Sequence, residues 1–435
     1  MAKGRDAALV EGVERRIADE VGAALENGGH VDPKTLGCAR ALAPRSTAVR
    51  HVLAEAARVL VKGARFENEL YAVSLRTLAD LDDKRLVSLL KVALGTDDAG
   101  GLPALSAACF CQDPSIGAAL ARAAMSPKTQ TAFAAEIARV CRGEPAGARM
   151  LALATKVKEA HRIGLSMEML LPLSTACAAS TDGREPRALN PQPAAVAALA
   201  GALRILRGAE RHLGRWLVMA EVAQRAGDGS ALDEASERAK SGPASSRGAW
   251  SYVVWALDHA PSGPAAGKRP GAGAPCMRPA TRATLELVAR LSYRPSADKD
   301  TAFLFRLARD KEDVAVPMLE ALAKSKLDGA PAGAFSAVSL RSALALARCY
   351  GCHDAVESIH AAAREAPSDE LRAFAGAALW DLGESRAAAS TARAVASSAS
   401  IEASTWAAMI GTANGDGHAL VDDCSFRRVH HGWFE

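Results

Sequence analysis

Aromatic residues are scarce in this chain, at 4% of 435 residues. The alternation of β-branched and aromatic residues that is typical of strands is also nearly absent. The hydrophobic share is nevertheless 49%, and alanine supplies much of it. Alanine is the best helix former, and its small side chain lets helices approach closely. The composition therefore predicts an all-helical protein.

No apolar run approaches the length of about 18 residues that a membrane-spanning helix needs. The N-terminal residues MAKGRDAALVEGVERR lack the apolar core of a signal peptide. The nine cysteines are odd in number and irregularly spaced, which favours a reducing compartment over a disulfide framework. We therefore expect a cytoplasmic protein without a membrane partner.

Neither sign of charge predominates, because 53 basic and 49 acidic residues leave a net charge of +4. A protein whose main partner is nucleic acid usually has a marked basic excess, so this balance favours a protein partner, although a local basic face remains compatible with it.

The sequence contains no phosphate-binding loop, nucleophile elbow, HExxH motif or paired-cysteine zinc motif. These absences predict a non-catalytic protein with no catalytic residues, no cofactor and no metal.

One stretch, RCYGCHDA, has the C-x-x-C-H spacing of a haem attachment site, with Cys349, Cys352 and His353. The alternative is a turn in which Gly351 ends one helix and His353-Asp354 begins the next. Haem attachment normally takes place outside the cytoplasm, and no second axial ligand is recognisable. We favour the turn, while a dithiol or half of a zinc site remains open.

A repeat of about 30 residues organises the N-terminal part of the chain. At an offset of 30, Leu75, Leu78, Asp83, Leu86 and Leu90 recur as Leu105, Ala108, Asp113, Ile116 and Leu120. At an offset of 31, Asp113, Pro114 and Leu120 recur as Glu144, Pro145 and Leu151. Helices that recur at this interval cannot bury their apolar faces alone, so they must stack on their neighbours.

The C-terminal part has the same period. Helices are predicted in DVAVPMLEALAKS (313–325), HDAVESIHAAARE (353–365), LRAFAGAALWDLGE (371–384) and IEASTWAAMIG (401–411). Leu340-Arg341 pairs with Leu371-Arg372 at an offset of 31, and Gly351 pairs with Gly383 at 32. Gly383 is predicted to stop its helix, as glycine often does in a left-handed conformation.

The segments AVPMLEAL and LRAFAGAALWDLGE resemble the HEAT-repeat, armadillo-like superfamily, and in particular the short bacterial repeats of the phycobilin-lyase type. The resemblance covers residues 281–411 and, less closely, 66–160. It implies an α-solenoid of stacked helix pairs that binds a protein on its concave face. An irregular alanine-rich helical bundle is the alternative fold.

Changes of composition divide the chain. STDGREPRALNPQP (180–193) is typical of a loop, and APSGPAAGKRPGAGAPCMRP (260–279) of a flexible linker. We predict an N-terminal repeat array over 1–180, an irregular helical middle segment with its linker over 181–269, a C-terminal repeat array over 270–411 and a tail over 412–435. The tail contains His418, Asp422, Asp423, Cys424, His430 and His431, but its aromatic residues favour a cap on the last helix pair over a metal site.

Four arginines with helical spacing are the candidates for binding a protein partner or phosphate groups: Arg204, Arg207, Arg211 and Arg215. Arginine forks bind phosphate and carboxylate groups bidentately. The alternative is a solvated helix face. The leading hypothesis for function is thus a protein-binding scaffold. The alternatives are a nucleic-acid-binding solenoid that uses these arginines and a lyase-like accessory protein that holds a substrate or chromophore.

Overall fold

The structure is a computed structural model that describes residues 2–28, 30–159, 193–210, 228–242 and 353–412, together with isolated positions between 216 and 257 and between 340 and 347. These residues form fifteen α-helices and one short 3₁₀ turn, and no strand occurs among them. The all-helical prediction is therefore confirmed for this part of the chain.

The first nine helices are α1 (Ala2–Asn27), α2 (Pro33–Leu42), α3 (Thr47–Lys62), α4 (Glu69–Asp80), α5 (Arg85–Ala93), α6 (Gly101–Ala108), α7 (Gly117–Ala123), α8 (Thr129–Cys141) and α9 (Met150–Glu159). The 3₁₀ turn Pro114–Ile116 leads into α7. The remaining helices are α10 (Pro193–Arg207), α11 (Ser230–Ser241), α12 (His353–Glu365), α13 (Asp369–Asp381), α14 (Ser385–Val395) and α15 (Ile401–Thr412).

The described residues belong to two compact units. Unit 1 contains described residues of Met1–Val21, Asp32–Val49 and Pro270–Glu435, so it combines both ends of the chain. Unit 2 contains those of Gly22–Val31 and Arg50–Arg269. The predicted boundaries near 180 and 270 lie outside the described residues and stay predictions.

Helices of two kinds alternate in unit 2. The first helices, α4, α6 and α8, pack against one another in sequence order. The second helices are α3, α5, α7 and α9, so that each first helix lies between two second helices along the chain. Of the residues in α4, α6 and α8, Asp80 alone is exposed. A helix buried on all its faces is a core helix, whereas a helix with one apolar stripe lies at a surface.

Side-chain contacts in unit 2 join residues that are one repeat apart. The Tyr71 hydroxyl donates to the carbonyl of Gly100, 29 residues later, at 3.2 Å. Arg142 donates to the carbonyl of Asp113, again 29 residues away, at 3.0 Å, and Lys128 pairs with Asp98. Contacts at this separation are those expected of neighbouring repeats that stack.

Three helices, α4, α8 and α13, end in the same backbone motif. Asp82, Gly143 and Gly383 each follow a helix with a positive φ, of 53°, 73° and 87°. The next residue then donates its N–H to the carbonyl five positions earlier, as Glu384 does to Leu379 at 2.8 Å. This is the Schellman arrangement, which satisfies the last carbonyls of a helix. The prediction that Gly383 stops its helix is confirmed.

Helix starts also follow the repeat. Asp83 and Asp113, which align at an offset of 30, each accept a hydrogen bond from the backbone N–H two residues later, at 3.0 and 2.9 Å. The offset of 31 holds for the turn at Glu144 but is wrong for the helix that follows. Leu120 is buried, whereas Leu151 is 47% exposed and the buried residue at this place is Met150, at an offset of 30.

In unit 1 the last helices pack on one another and on the N-terminal helix α2. Helix α12 begins at His353 as predicted, and Ser398 donates to Asp369 at 2.6 Å across one repeat. Arg16 reaches Ser404 at 3.3 Å and the carbonyl of Ala399 at 2.9 Å. The N-terminal helices thus cover α15. The C-terminal tail that we predict as its cap lies outside the described residues.

Candidate functional site: an arginine and tryptophan cluster

Two of the four candidate arginines lie at the C-terminal end of α10, and the structure describes their surroundings. They are Arg204 and Arg207, which both face residues of and before α11. Arg211 and Arg215 lie outside the described residues. The structure therefore describes only half of the predicted stripe.

Arg204 forms a bidentate pair with Asp228, with 2.8 Å from Nη2 to Oδ1 and 3.2 Å from Nε to Oδ2. Its side chain is 61% exposed, while that of Asp228 is buried. The hydrogen bond to Asp228 raises the pKa of Arg204. Burial acts to raise the pKa of Asp228, but hydrogen bonds from Arg204 and Ser230 outweigh it and hold the pKa below its usual value.

Arg207 is almost completely buried, with 1% of its side chain exposed. Its Nε donates to Glu234 at 3.1 Å and its Nη2 donates to the hydroxyl of Ser230 at 3.0 Å. An oxygen of Asp228 lies 3.8 Å from the same Nη2. A buried guanidinium needs such partners, because an unpaired charge in a protein interior costs several kcal/mol.

Two tryptophans complete the cluster. The ring of Trp216, which is fully buried, lies 5.4 Å from the guanidinium carbon of Arg207 and 5.6 Å from that of Arg238. Trp250 meets Trp216 edge to face at 4.9 Å between centroids, and Arg238 lies 4.6 Å over its ring. A cation over an indole face is attracted by about 2 kcal/mol or more where water is excluded.

Positive and negative side chains alternate through the cluster, in the order Arg204, Asp228, Arg207, Glu234 and Arg238. Each carboxylate bridges two guanidinium groups, so the network fastens α10 to α11. The buried Arg207 is not accessible to a phosphate group, whereas Arg204 keeps a solvent-facing side. Partner or phosphate binding by all four arginines stays a prediction.

The cysteines of the CFC stretch (109–111) lie in the apolar core of unit 2. Cys109 and Cys111 are both buried. Burial raises the pKa of the Cys111 thiol, which disfavours the reactive thiolate. Cys349, Gly351 and Cys352 lie outside the described residues, and so do the metal-ligand candidates of the C-terminal tail.

His353, the third member of the C-x-x-C-H motif, is described and exposed, 3.9 Å from Glu357. Among the residues that the structure describes, no three His, Cys, Asp or Glu side chains come together as they would to hold a metal ion. In the same residues no helix combines the length and apolarity needed to cross a membrane.

Sequence reasoning missed the partners of the arginines. Asp228, Glu234 and Trp216 lie 24, 27 and 9 residues from the arginine that each contacts. The one local signal is the spacing of four between Glu234 and Arg238, which pair at 2.6 Å on the face of α11.

Comparison with protein-family models, with curated proteins and with solved structures finds no match.

Proposed function

We propose that this chain is a non-catalytic, HEAT-like α-solenoid that acts in the cytoplasm as a scaffold or adaptor for a protein partner. The observation that carries the proposal is the set of side-chain contacts between residues 29 or 30 positions apart. Stacked helical repeats make extended surfaces rather than enclosed pockets, and such surfaces suit protein partners.

The chemistry of the arginine cluster supports a structural role rather than catalysis. Its carboxylates are all engaged by guanidinium groups, so none of them is available as a general base. The nucleic-acid alternative depends on four accessible arginines, and the burial of Arg207 counts against it.

The resemblance to HEAT repeats implies a partner on the concave face of the solenoid. In unit 2 the first helices expose almost no side chain, whereas the second helices expose many. We therefore place the partner on the second helices of this unit.

Affinity purification of the whole chain from nuclease-treated native cells, followed by reconstitution from purified components, tests the proposal. A single protein that binds the purified chain stoichiometrically supports it. A chain that binds only nucleic acid, or that binds no macromolecule and instead turns over a small substrate, contradicts it.

A further inference from the structure

The second helices of unit 2 are connected to one another by contacts at their ends. Arg85 at the start of α5 contacts His51 of α3 at 3.5 Å. Helix α5 packs on the 3₁₀ turn that leads into α7. Arg149, just before α9, donates to the carbonyl of Ala124, just after α7, at 2.8 Å. We call α3 from Arg50 onward, α5, α7, α9 and the residues that immediately follow them the second-helix row.

Basic residues are concentrated on this row. The number of Lys and Arg residues is three on α3 from Arg50 onward, two on α5, one on α7 and two on α9. The acidic residues on these helices are Glu55 and Glu159. The first helices α4, α6 and α8 carry two basic and three acidic residues. The second helices therefore carry an excess of basic residues, whereas the first helices do not.

Five of these bases are exposed without forming an ion pair to any residue that the structure describes: Lys62, Lys91, Arg122, Lys156 and Lys158. They differ in this from Arg58 and Arg85 on the same helices, which pair with Glu55 and Asp83. An unpaired surface charge is available to a partner of opposite sign at no cost in broken contacts.

Large apolar side chains are exposed on the same row. Of the residues that the structure describes, the large hydrophobic ones that are exposed are Val59, Val92, Met125 and Leu151, at 42%, 56%, 69% and 47%. Each of them lies within five residues of an unpaired base. Single exposed apolar residues are ordinary, but their confinement to one row that also holds the unpaired bases is not.

We propose that the second-helix row is the docking surface for an acidic protein segment that carries aliphatic side chains between its carboxylates. This proposal rests on the proposed scaffold function and names its surface and its class of partner. The phosphates of a nucleic acid could pair with the Lys and Arg side chains, but a nucleic acid offers the exposed valines and methionine little aliphatic surface. A protein segment with carboxylates and aliphatic side chains fits both features. Packed helix axes lie about 10 Å apart. Four helices therefore span at least about 30 Å, which takes an extended segment of about ten residues or more to cross.

The test measures binding of a fluorescein-labelled acidic peptide to the full chain by fluorescence anisotropy over a range of salt concentrations. The probe has about sixteen residues and repeats Glu-Glu-Leu-Asp. One control peptide has Ser in place of Leu at the same charge, and another has Gln and Asn in place of the acids. Duplex DNA of about twenty base pairs and vesicles of phosphatidylglycerol and phosphatidylcholine are measured in parallel.

Three variants locate the site. The charge variant combines Lys62→Gln, Lys91→Gln and Arg122→Gln. The apolar variant combines Val59→Ser, Val92→Ser and Met125→Gln. The matched control combines Arg364→Gln, Arg386→Gln and Arg393→Gln, which are exposed arginines of unit 1.

We expect the charge variant to bind the leucine-containing peptide at least about tenfold more weakly at low salt, with a flatter salt dependence. The apolar variant should lose most of the preference for Leu over Ser, and the matched control should behave as the wild type. Equal binding by the charge variant and the wild type overturns the proposal. It is also overturned if DNA or vesicles bind more tightly than the peptide and the apolar variant binds them as the wild type does.

A second measurement uses the wild-type chain alone and so does not depend on the folding of a variant. Bound peptide should protect Lys62, Lys91 and Lys156 from acetylation by a soluble reagent, while the exposed Lys240 of α11 stays reactive. Uniform acetylation with and without peptide contradicts docking on the row.

The protein recovered by affinity purification separates the two levels of the proposal. If wild type and charge variant bind it equally, the scaffold function stands and this surface is wrong. If neither binds any protein, the scaffold function itself is wrong.

Discussion

Arg204 and Arg207 are a natural pair for testing what burial does to an ion pair, because they lie on adjacent turns of one helix and differ in exposure, at 61% and 1%. We predict that Arg207→Gln destabilises the protein strongly and that Arg204→Gln destabilises it less. Water screens the exposed guanidinium of Arg204, so its pair with the buried Asp228 contributes less than a pair in which both side chains are buried.

The magnitude for Arg207 follows from its partners. Removing one member of a buried ion pair costs about 3–5 kcal/mol, mainly because the other member is left buried and unpaired. Here Asp228 keeps Arg204 and Glu234 keeps Arg238, so neither carboxylate loses its last cation. We therefore expect the lower end of the range, about 3 kcal/mol for Arg207→Gln.

Removing the acid should be at least as costly. Glu234→Gln leaves the buried guanidinium of Arg207 with Ser230 and with an Asp228 oxygen at 3.8 Å. Urea unfolding followed by circular dichroism and by tryptophan fluorescence measures both variants, and Trp216 lies within the cluster as a reporter. Equal losses for Arg204→Gln and Arg207→Gln would refute the reasoning, because burial would then not decide the effect.

Three further predictions test the turns of the repeats. Gly100 has a φ of +70°, and a Cβ added there would lie 2.6 Å from the Cβ of a neighbouring alanine, so Gly100→Ala should lower the free energy of unfolding in urea by about 2–4 kcal/mol. Gly22 lies in open space inside α1, so Gly22→Ala should instead raise it by about 0.5–1 kcal/mol. Gly383→Val should lower the melting temperature more than Gly383→Asn, because asparagine tolerates the φ of +87° better; equal effects would contradict the helix-stop role. The side-chain hydrogen bond from Arg85 lowers the pKa of Asp83. The stability that the ionised Asp83 contributes is therefore present above the unfolded-state pKa of about 3.9 and disappears as the pH falls through the lower folded-state value. The stability curves of wild type and Asp83→Asn should converge below about pH 3.9, and parallel curves would contradict this.

Turn positions were the most predictable part of the fold. The helix stop at Gly383 and the helix start at His353 agree with the repeat alignment. These features depend on a few adjacent residues, because a left-handed glycine or a capping side chain satisfies backbone groups within one turn. The sequence therefore contains most of what is needed to place them.

The register within a helix was harder to predict than its start. An offset of 31 aligns the turn acids Asp113 and Glu144, but it carries Leu120 onto the exposed Leu151 instead of the buried Met150. One residue turns a helix by about 100°, so an error of one position exchanges a core residue for a surface residue. Only packing against the neighbouring helix decides between them.

The arginine stripe illustrates a different limit. Spacings of three and four place side chains on one side of a helix, but residues three apart still differ by about 60° around the axis. This rotation separates Arg204, at the solvent edge, from Arg207, which is beneath α11. The position of α11 relative to α10 comes from tertiary packing, and no local pattern in the sequence contains it.

Contacts between the chain ends were not predictable from the repeat at all. Arg16 and Ser404 are 388 residues apart, and Lys34 pairs with Glu402 at 3.4 Å. A period of 30 residues predicts which neighbours stack, but it does not say what covers the last repeat. In this protein the N-terminal helices cover α15, so the apolar face of this helix is buried by a part of the chain that is distant in sequence.

The net charge of the whole chain does not describe the charge of an individual surface. The balance of 53 basic and 49 acidic residues argues against a generally basic protein, yet it conceals the excess on the second-helix row. Electrostatic attraction is screened within about 8–10 Å at physiological salt, so a partner senses the charges of one face and not of the whole chain. Lys62, Lys91 and Arg122 therefore set the field that a docked segment meets, whatever the remote acids contribute to the total. Partner class is better inferred from the unpaired charges of each helix face than from the composition of the chain.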